Sequence, residues 1–493
     1  MTIPQQSDEE NRRKKLKQIT EAGINPYPDS FDRKNSLEQA LEKKENSKVK
    51  VAGRLFTLRD MGKLTFAHLQ DFSGKMQLVF KQDDLGKDNY KFLLKNIDLG
   101  DFIGVEGKIF TTKKGEKSIL VDKWMLLSKT LLPLPEKWHG LQDREVKYRQ
   151  RYLDLIANKE TQERFVFRSN LIKEMRKFYW SEDFLEIETP ILVNTASGAL
   201  AKPFKTKHEA LDIPLYLRIA PETYLKEAVA GGFEKIFEIG RAFRNEGIDP
   251  SHLQDFTIVE HYVAYWNYQD NMKFTEKMME HLLKKLLGTT KVEILDRNGK
   301  KVKVDFKPPY KVVTFRELIK KDCGIDIDEF ATSDELKKEI KRKKIELDEN
   351  IEKLGRGNLI DELYKKVSRP KLTGPLFLTQ HPIDVSPLAR KNDKNPKVVD
   401  RFQLVVVGWE VVNAYSELVD PIDQKERFET QAKAKKAGDQ EAHGKDDQYI
   451  EAMKHGMPPM SGWGMGIDRL VALLTAQDNL KDCVLFPLMR PKE

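Results

Sequence analysis

The sequence predicts an α+β chain in two parts: a small five-stranded β-barrel over residues 48–130, then a larger domain over 152–493 built on an antiparallel sheet flanked by helices. Three observations predict it. Residues 48–128 break into short β-rich runs, KVKVAGRLFTLR, KLTFAHLQD, KMQLVF, DFIGVEGKIFTT and KSILVDKWMLL, with the polar helical segment QDDLGKDNYKFLLKN between the third and fourth. That order of five strands and one helix is the arrangement of the OB-fold, a barrel that binds oligonucleotides on one face. Residues 131–151 combine prolines with dense charge and read as a connector. Beyond it, long helical stretches alternate with paired strands such as 236–243 and 256–265, the texture of an antiparallel-sheet α+β domain.

The remaining elements fit around these. Residues 1–47 form a lead-in whose segment from 8 to about 22 predicts a basic helix, with Leu16, Ile19 and Ala22 on its buried stripe and Gly23 ending it. The charge-rich segment 333–366, within an insertion at about 330–370, predicts a solvated helical insertion. At 493 residues the chain exceeds what one core usually organises. No apolar run approaches the roughly 20 residues that span a bilayer. The N-terminus carries charges where an export signal is apolar, so a cytoplasmic location is expected, with no membrane partner. Two cysteines, Cys323 and Cys483, fit a reducing compartment and offer no metal-ligand spacing. The net charge of +8 sets 86 basic against 78 acidic residues, a small excess compatible with a nucleic-acid partner.

Chemistry concentrates in three segments. In IFEIGRAFRNEGIDPSHLQDFTIVEHYVAY two strand-like runs flank a polar turn with Gly247, Asp249 and Pro250, a hairpin. Alternation places Arg244 and Glu246 on one face of the outgoing arm, and Phe256, Ile258, Glu260 and Tyr262 on one face of the return arm. A guanidinium that clamps phosphate and a ring that stacks on a base suit a nucleotide. SGWGMGIDRLVALLT runs a glycine-rich strand into a helix with Arg469 in its first turn, a place that favours phosphate. GWEVVNAYSEL puts Asn413, Tyr415 and Glu417 on one face and Glu410 on the opposite parity. An inward Glu417 requires a cation beside it, either a lysine or arginine of the protein or a ligand.

Together these segments resemble the motif set of class II aminoacyl-tRNA synthetases: FRNEG with HLQDFT for motif 2, GMGIDRL for motif 3, and FLEIETPIL with Pro190 for motif 1. RIAPETYLK, HPIDVSPLAR and NAYSELVDPIDQ look like the lysine-specific members. The resemblance implies activation of L-lysine with ATP and transfer to tRNA(Lys), by a homodimer joined through the motif 1 region around Pro190, with no DNA partner. It implies that Arg244, Glu246, His252, Phe256, Glu410 and Arg469 bind ATP, Phe256 stacking on adenine. Arg244 and Arg469 would take phosphates and act in catalysis.

For lysine it implies Glu222 and Glu417 at the ε-ammonium, Tyr262 and Tyr415 along the stem, and Gly198, Glu260 and Asn413 at the amino acid backbone. Mg2+ is expected on the ATP phosphates, and the family's two acidic metal positions fall on Glu410 and Gln403. Gln403 departs from that pattern, because an amide offers a neutral oxygen and no charge. Ser251 departs where an arginine is common, and Ala201 with Lys202 stands where alanine and arginine are usual. In the barrel, alternation exposes Phe66 and Gln77, and the resemblance implies that Phe66 stacks on an anticodon base read by Gln77 and Glu116. The competing readings are an aspartyl or asparaginyl enzyme, a non-catalytic RNA-binding paralogue, and a lysine ligase acting on protein.

Overall fold

The computed structural model describes residues 4–134, 141–199, 201–247, 249–296, 299–347, 351–436 and 446–491. Residues 135–140 of the expected connector and 348–350 of the expected insertion lie outside them. The chain divides into two compact units, residues 1–142 and 143–493.

In the first unit the basic helix runs over Pro4–Glu21, starting earlier than expected. Strands β1 (Lys48–Asp60), β2 (Leu64–Gln70), β3 (Lys75–Lys81), β4 (Phe102–Thr111) and β5 (Lys117–Ser128) close in the order β1-β2-β3-β5-β4. Closure needs one parallel seam, β3 with β5; the other pairings are antiparallel. Alternation decides what is inside: Val49, Val51 and Leu55 of β1 and Ala67 and Leu69 of β2 join Leu78, Phe80, Ile103, Val105, Ile119 and Val121 in one core. The segment between β3 and β4 is helical, split at Gly86 into Gln82–Leu85 and Lys87–Asn96.

The second unit opens with a helix inside the expected connector, Arg144–Arg149 capped by Asp143, and from the connector's end onward come Arg151–Ala157 and the long helix Lys159–Ser181. After β6 (Leu185–Glu186), strands β7 (Leu192–Val193), β8 (Lys205–His208) and β9 (Ile213–Leu217) form a small sheet of order β7-β9-β8. Then come β10 (Lys235–Phe243), β11 (Asp255–Ala264), the hairpin β12 (Lys291–Leu295) and β13 (Lys301–Asp305), β14 (Lys311–Thr314), β15 (Leu376–Thr379), β16 (Arg401–Val406), β17 (Trp409–Ser416) and β18 (Met460–Gly466). Eight of these make the main sheet, in the order β14-β15-β16-β17-β18-β11-β10-β6, antiparallel through its centre.

One face of this sheet packs under helices Lys159–Ser181 and Tyr268–Leu287. There His261 stacks on Trp463 with centroids 4.9 Å apart, and its ring nitrogens bond Tyr179 and Asn271. Burial lowers the His261 pKa to about 3, so it is a neutral core imidazole. The insertion is more than a solvated arm. Leu336, Ile340, Leu359, Ile360 and Leu363 build a core of their own with Leu376 and Leu378 of β15, which turns the charges outward.

Candidate active site

The other face of the sheet is open, and strand register sets what stands on it. Across β10, β11, β18, β17 and β16, one rank runs Glu238, Glu260, Gly464, Asn413, Gln403, and the next runs Ile236, Tyr262, Gly462, Tyr415, Arg401. Paired residues share a face, so polar side chains from four strands converge over a glycine strand that leaves room above it. Part of this array lines a cavity of about 320 Å³, with Gly198, Glu222, Arg244, Glu246, His252, Phe256, Glu260, Tyr262, Glu410, Asn413, Tyr415 and Arg469 in its wall.

Two expectations from alternation need correcting. Strand β10 ends at Phe243, so Arg244 and Glu246 lie beyond the ladder, and Arg244 N–H donates to Gln254 O across the turn (2.8 Å). They reach the cavity from a loop. Glu410, read on the opposite parity to Asn413, stands on the same face. Between Leu404 and Val405 the register slips: Val412 faces Leu404 while Glu410 faces Val405, leaving Val411 as the extra residue of a β-bulge. One extra residue inverts the alternation.

At the nucleotide-like end, the Arg244 guanidinium lies 5.0 Å from the Phe256 ring centroid, and Arg469 Nη1 donates to the main-chain oxygen of Glu410 (2.7 Å). Burial lowers the Arg469 pKa, opposed by Glu410. Arg469 sits in the first turn of helix Ile467–Leu474, which is pinned by Asp468: its carboxylate accepts from Thr257 N–H (2.7 Å) and from Arg168 (2.6 Å). His252 pairs with Asp249 (2.6 Å), and Ser251 Oγ bonds the same carboxylate (2.8 Å), at the exposed lip of the site. Gln403 Nε2 donates to Glu410 Oε2 (2.8 Å). Glu410 is the only carboxylate of that pair, and among the described residues no group of three or more His, Cys, Asp or Glu could hold a metal. The donor set therefore fits a Mg2+ that takes most of its oxygens from phosphates and water, and does not fit an all-protein cage.

At the other end, Glu222 begins helix Glu222–Ala230 and faces the cavity. Its Oε1 accepts from Tyr415 Oη (2.6 Å) and from Lys226 Nζ (2.6 Å), one turn along the same helix. Lys226 also pairs with Glu417, which lies behind the cavity wall, 2% exposed. The cation that Glu417 requires is thus a side chain of the protein. Two glycines make this packing possible: a Cβ at Gly462 would strike Glu417 Oε1 and the Tyr262 ring, and Gly198, at φ +90°, would bring one to 2.9 Å from Glu222 Cβ. Asn413 is held by Arg401 Nε (2.8 Å), itself fixed to Val385 O and Ser386.

Glu260 and Glu238 are register partners with opposite electrostatics. Glu238 is paired with Arg218 (2.6 Å); among the described residues Glu260 accepts from the Tyr262 hydroxyl alone (3.2 Å), and burial, with the Glu222 charge, raises its pKa to about 8. Burial also raises the Tyr262 and Tyr415 pKa, so both are neutral phenols.

Lys226, Arg401, Arg168 and Asp468 are the participants that pattern reading passed over. Lys226 carried a signal, the four-residue spacing from Glu222 within one helix. Arg401 carried another, alternation with Gln403. Arg168 lies far away in sequence and had none.

On the barrel, Thr57, His68, Gln77 and Ser118 form one rank. Phe66 is partly exposed as expected. Gln77 is not: it is 8% exposed, because Ser118 donates to its oxygen (2.9 Å) and its amide donates to Glu116 (2.7 Å), filling the space around it. Glu116 also lies 3.3 Å from His68 Nε2, whose Nδ1 is 2.7 Å from Thr57 Oγ1.

This architecture has known counterparts. Residues 143–490 match the family of tRNA synthetases class II (D, K and N), and residues 49–127 match the OB-fold nucleic acid binding domain. The chain is similar to the lysine–tRNA ligase of Bacillus cereus (strain B4264), 45% identical over 98% of this chain and 97% of that one. It is similar also to that of Thermosipho africanus (strain TCF52B), 44% identical over 98% and 96%. With that of Aquifex aeolicus (strain VF5) it shares 47% identity over 90% of this chain and 73% of the other. A glycine-floored sheet with an arginine from the hairpin and another from the last helix, carried on a chain alike over nearly its whole length, has one reading: the chain belongs to the class II tRNA synthetases, in their lysine–tRNA ligase branch.

Proposed function

We propose that the chain activates L-lysine with ATP to lysyl-adenylate and pyrophosphate, then transfers lysine to the terminal adenosine of tRNA(Lys). One observation carries the reading. A single cavity joins a phosphate-seeking end, Arg244 and Arg469 with Phe256, to an ammonium-seeking end, Glu222 with Tyr262 and Tyr415. An aspartate or asparagine side chain would instead meet the Glu222 carboxylate there.

No covalent nucleophile is needed, since the carboxylate of lysine attacks the α-phosphate itself. The chain supplies position and charge. Phe256 stacks on adenine with Arg244 against its ring, Arg469 and Arg244 take phosphate oxygens, and Glu246 and His252 hold the nucleotide at the lip. Glu222 receives the ε-ammonium, the rings of Tyr262 and Tyr415 flank the stem, and Gly198, Glu260 and Asn413 hold the α-substituents. When bound, Mg2+ would neutralise phosphate charge, with Glu410 as its charged protein ligand and Gln403 orienting that carboxylate.

The barrel reads the anticodon through Phe66, with Gln77 and Glu116. The chain acts as a homodimer, for which the exposed apolar side chains Trp180, Leu185, Ile191 and Leu192 around Pro190 supply the surface. No helix among the described residues is long and apolar enough to cross a membrane, and the enzyme works in the cytoplasm. The test is steady-state exchange and charging: lysine-dependent ATP–pyrophosphate exchange together with formation of lysyl-tRNA. Exchange without charging of tRNA(Lys) would reduce the function to lysine activation alone.

A further inference from the structure

We propose that Lys226 is a resident counter-ion that fixes the charge of the amino-acid pocket at one negative unit, so that the pocket accepts a side chain carrying a single ammonium group. The inference rests on Glu222, Tyr262 and Tyr415 being the amino-acid pocket.

Lys226 is fully buried. Its ammonium bonds Glu222 on its own helix and Glu417 beyond the end of β17, and the rings of Tyr415, Tyr449 and Tyr262 surround it with centroids at 5.5, 5.8 and 6.0 Å. This is the kind of cage a substrate ammonium would seek, and the protein has filled its rear half with its own lysine. Two carboxylates, Glu222 and Glu417, share the single Lys226 ammonium as ion pairs; burial pushes the Glu417 pKa up and the Lys226 charge opposes that rise, Glu260 is raised to about 8, and the three tyrosines are neutral. With Glu417 held ionised by its direct contact with Lys226, the remainder is one negative charge, presented to the cavity by Glu222. An incoming ammonium cancels it. A neutral side chain leaves it buried and uncompensated, which is costly.

The count makes an unusual prediction for a double substitution. Glu417→Gln alone leaves Lys226 balanced by Glu222, so the pocket becomes neutral and leaves the substrate ammonium uncompensated. The lysine KM should rise by about 100-fold, the scale of one uncompensated buried charge. Lys226→Met alone strands two carboxylates and should lower Tm. Combining them, K226M with E417Q, restores one negative charge, and the lysine KM should return to within about 10-fold of the parent, better than E417Q, as coupled neighbours allow.

The experiment is lysine-dependent ATP–pyrophosphate exchange on the full chain, with calorimetric titration of lysine, for E417Q and for the double variant. Recovery in the double variant supports the inference whether or not K226M folds alone. A double variant as poor as E417Q, or poorer, overturns it while leaving the pocket in place. An unchanged lysine KM in E417Q overturns it as well, whereas parent protein in which lysine supports no exchange would overturn the pocket assignment itself.

Discussion

Among the described residues no cation is bonded to Glu260, whereas its register partner Glu238 has Arg218, and that difference should be measurable in pH dependence. Its folded pKa lies near 8 against an ordinary 4.5, so between those values the folded chain holds a proton that the unfolded chain has released. Stability from this group is therefore greatest at the acid end of that window and falls as pH rises through it. If the α-ammonium of lysine docks on Glu260, binding should expel the proton: the affinity for lysine should rise from pH 6 to 8, with proton release seen by calorimetry in buffers of different ionisation enthalpy. Glu260→Gln should flatten that profile, and an unflattened profile would place the titrating group elsewhere. At the nucleotide end, Phe256→Ala should raise the KM for ATP by about 10-fold, the order of one lost base stack, with the lysine KM little changed. Arg469→Ala should lower kcat by about 100-fold or more, as expected for a donor aimed at developing charge.

Strands, turns and one bulge decide which of these side chains meet. The return arm of the hairpin was legible in the sequence because its alternation is unbroken from Phe256 to Tyr262, and all four residues on that face line the cavity. Glu410 was not legible, because the bulge at Val411 inverts parity without any glycine or proline to mark it. Arg244 was placed on the right side for a reason that does not hold, since its strand has already ended. Lys226 was written in the spacing ETYLK but not its second partner, because the pairing with Glu417 joins a helix to a strand end far along the chain. The glycine strand leaves room above the sheet, and part of that room at Gly462 is taken by Glu417 and Tyr262. Gly462→Ala should therefore cost about 1–3 kcal/mol of stability, the range for overpacking, and raise the lysine KM more than the ATP KM. Thermal unfolding with both KM values checks this, and a neutral outcome would mean that Glu417 has freedom to move.

The molecule as a whole divides its work between two compact units, so damage to one should leave the other's chemistry intact. Phe66→Ala should lower charging efficiency by about 10-fold, the worth of one base stack, while adenylate formation stays near normal. Charging measured beside exchange tests this, and equal losses in both would remove the barrel from tRNA reading. The five strands of the barrel were legible because each is a β-rich run set off by turn residues or by the polar helical segment. Its polar rank was less so: Gln77 alternates as an exposed residue yet is enclosed by Ser118 and Glu116, contacts that depend on the parallel closure of β3 on β5. What binds the two ends of the catalytic cavity into one enzyme is the choice of amino acid. The decisive measurement is ATP–pyrophosphate exchange with Mg2+ and each of lysine, ornithine, arginine, aspartate and asparagine. Exchange supported by lysine, with aspartate and asparagine silent, is the result expected from a pocket floored by Glu222; exchange driven by aspartate or asparagine, or none with any of the five, would contradict it.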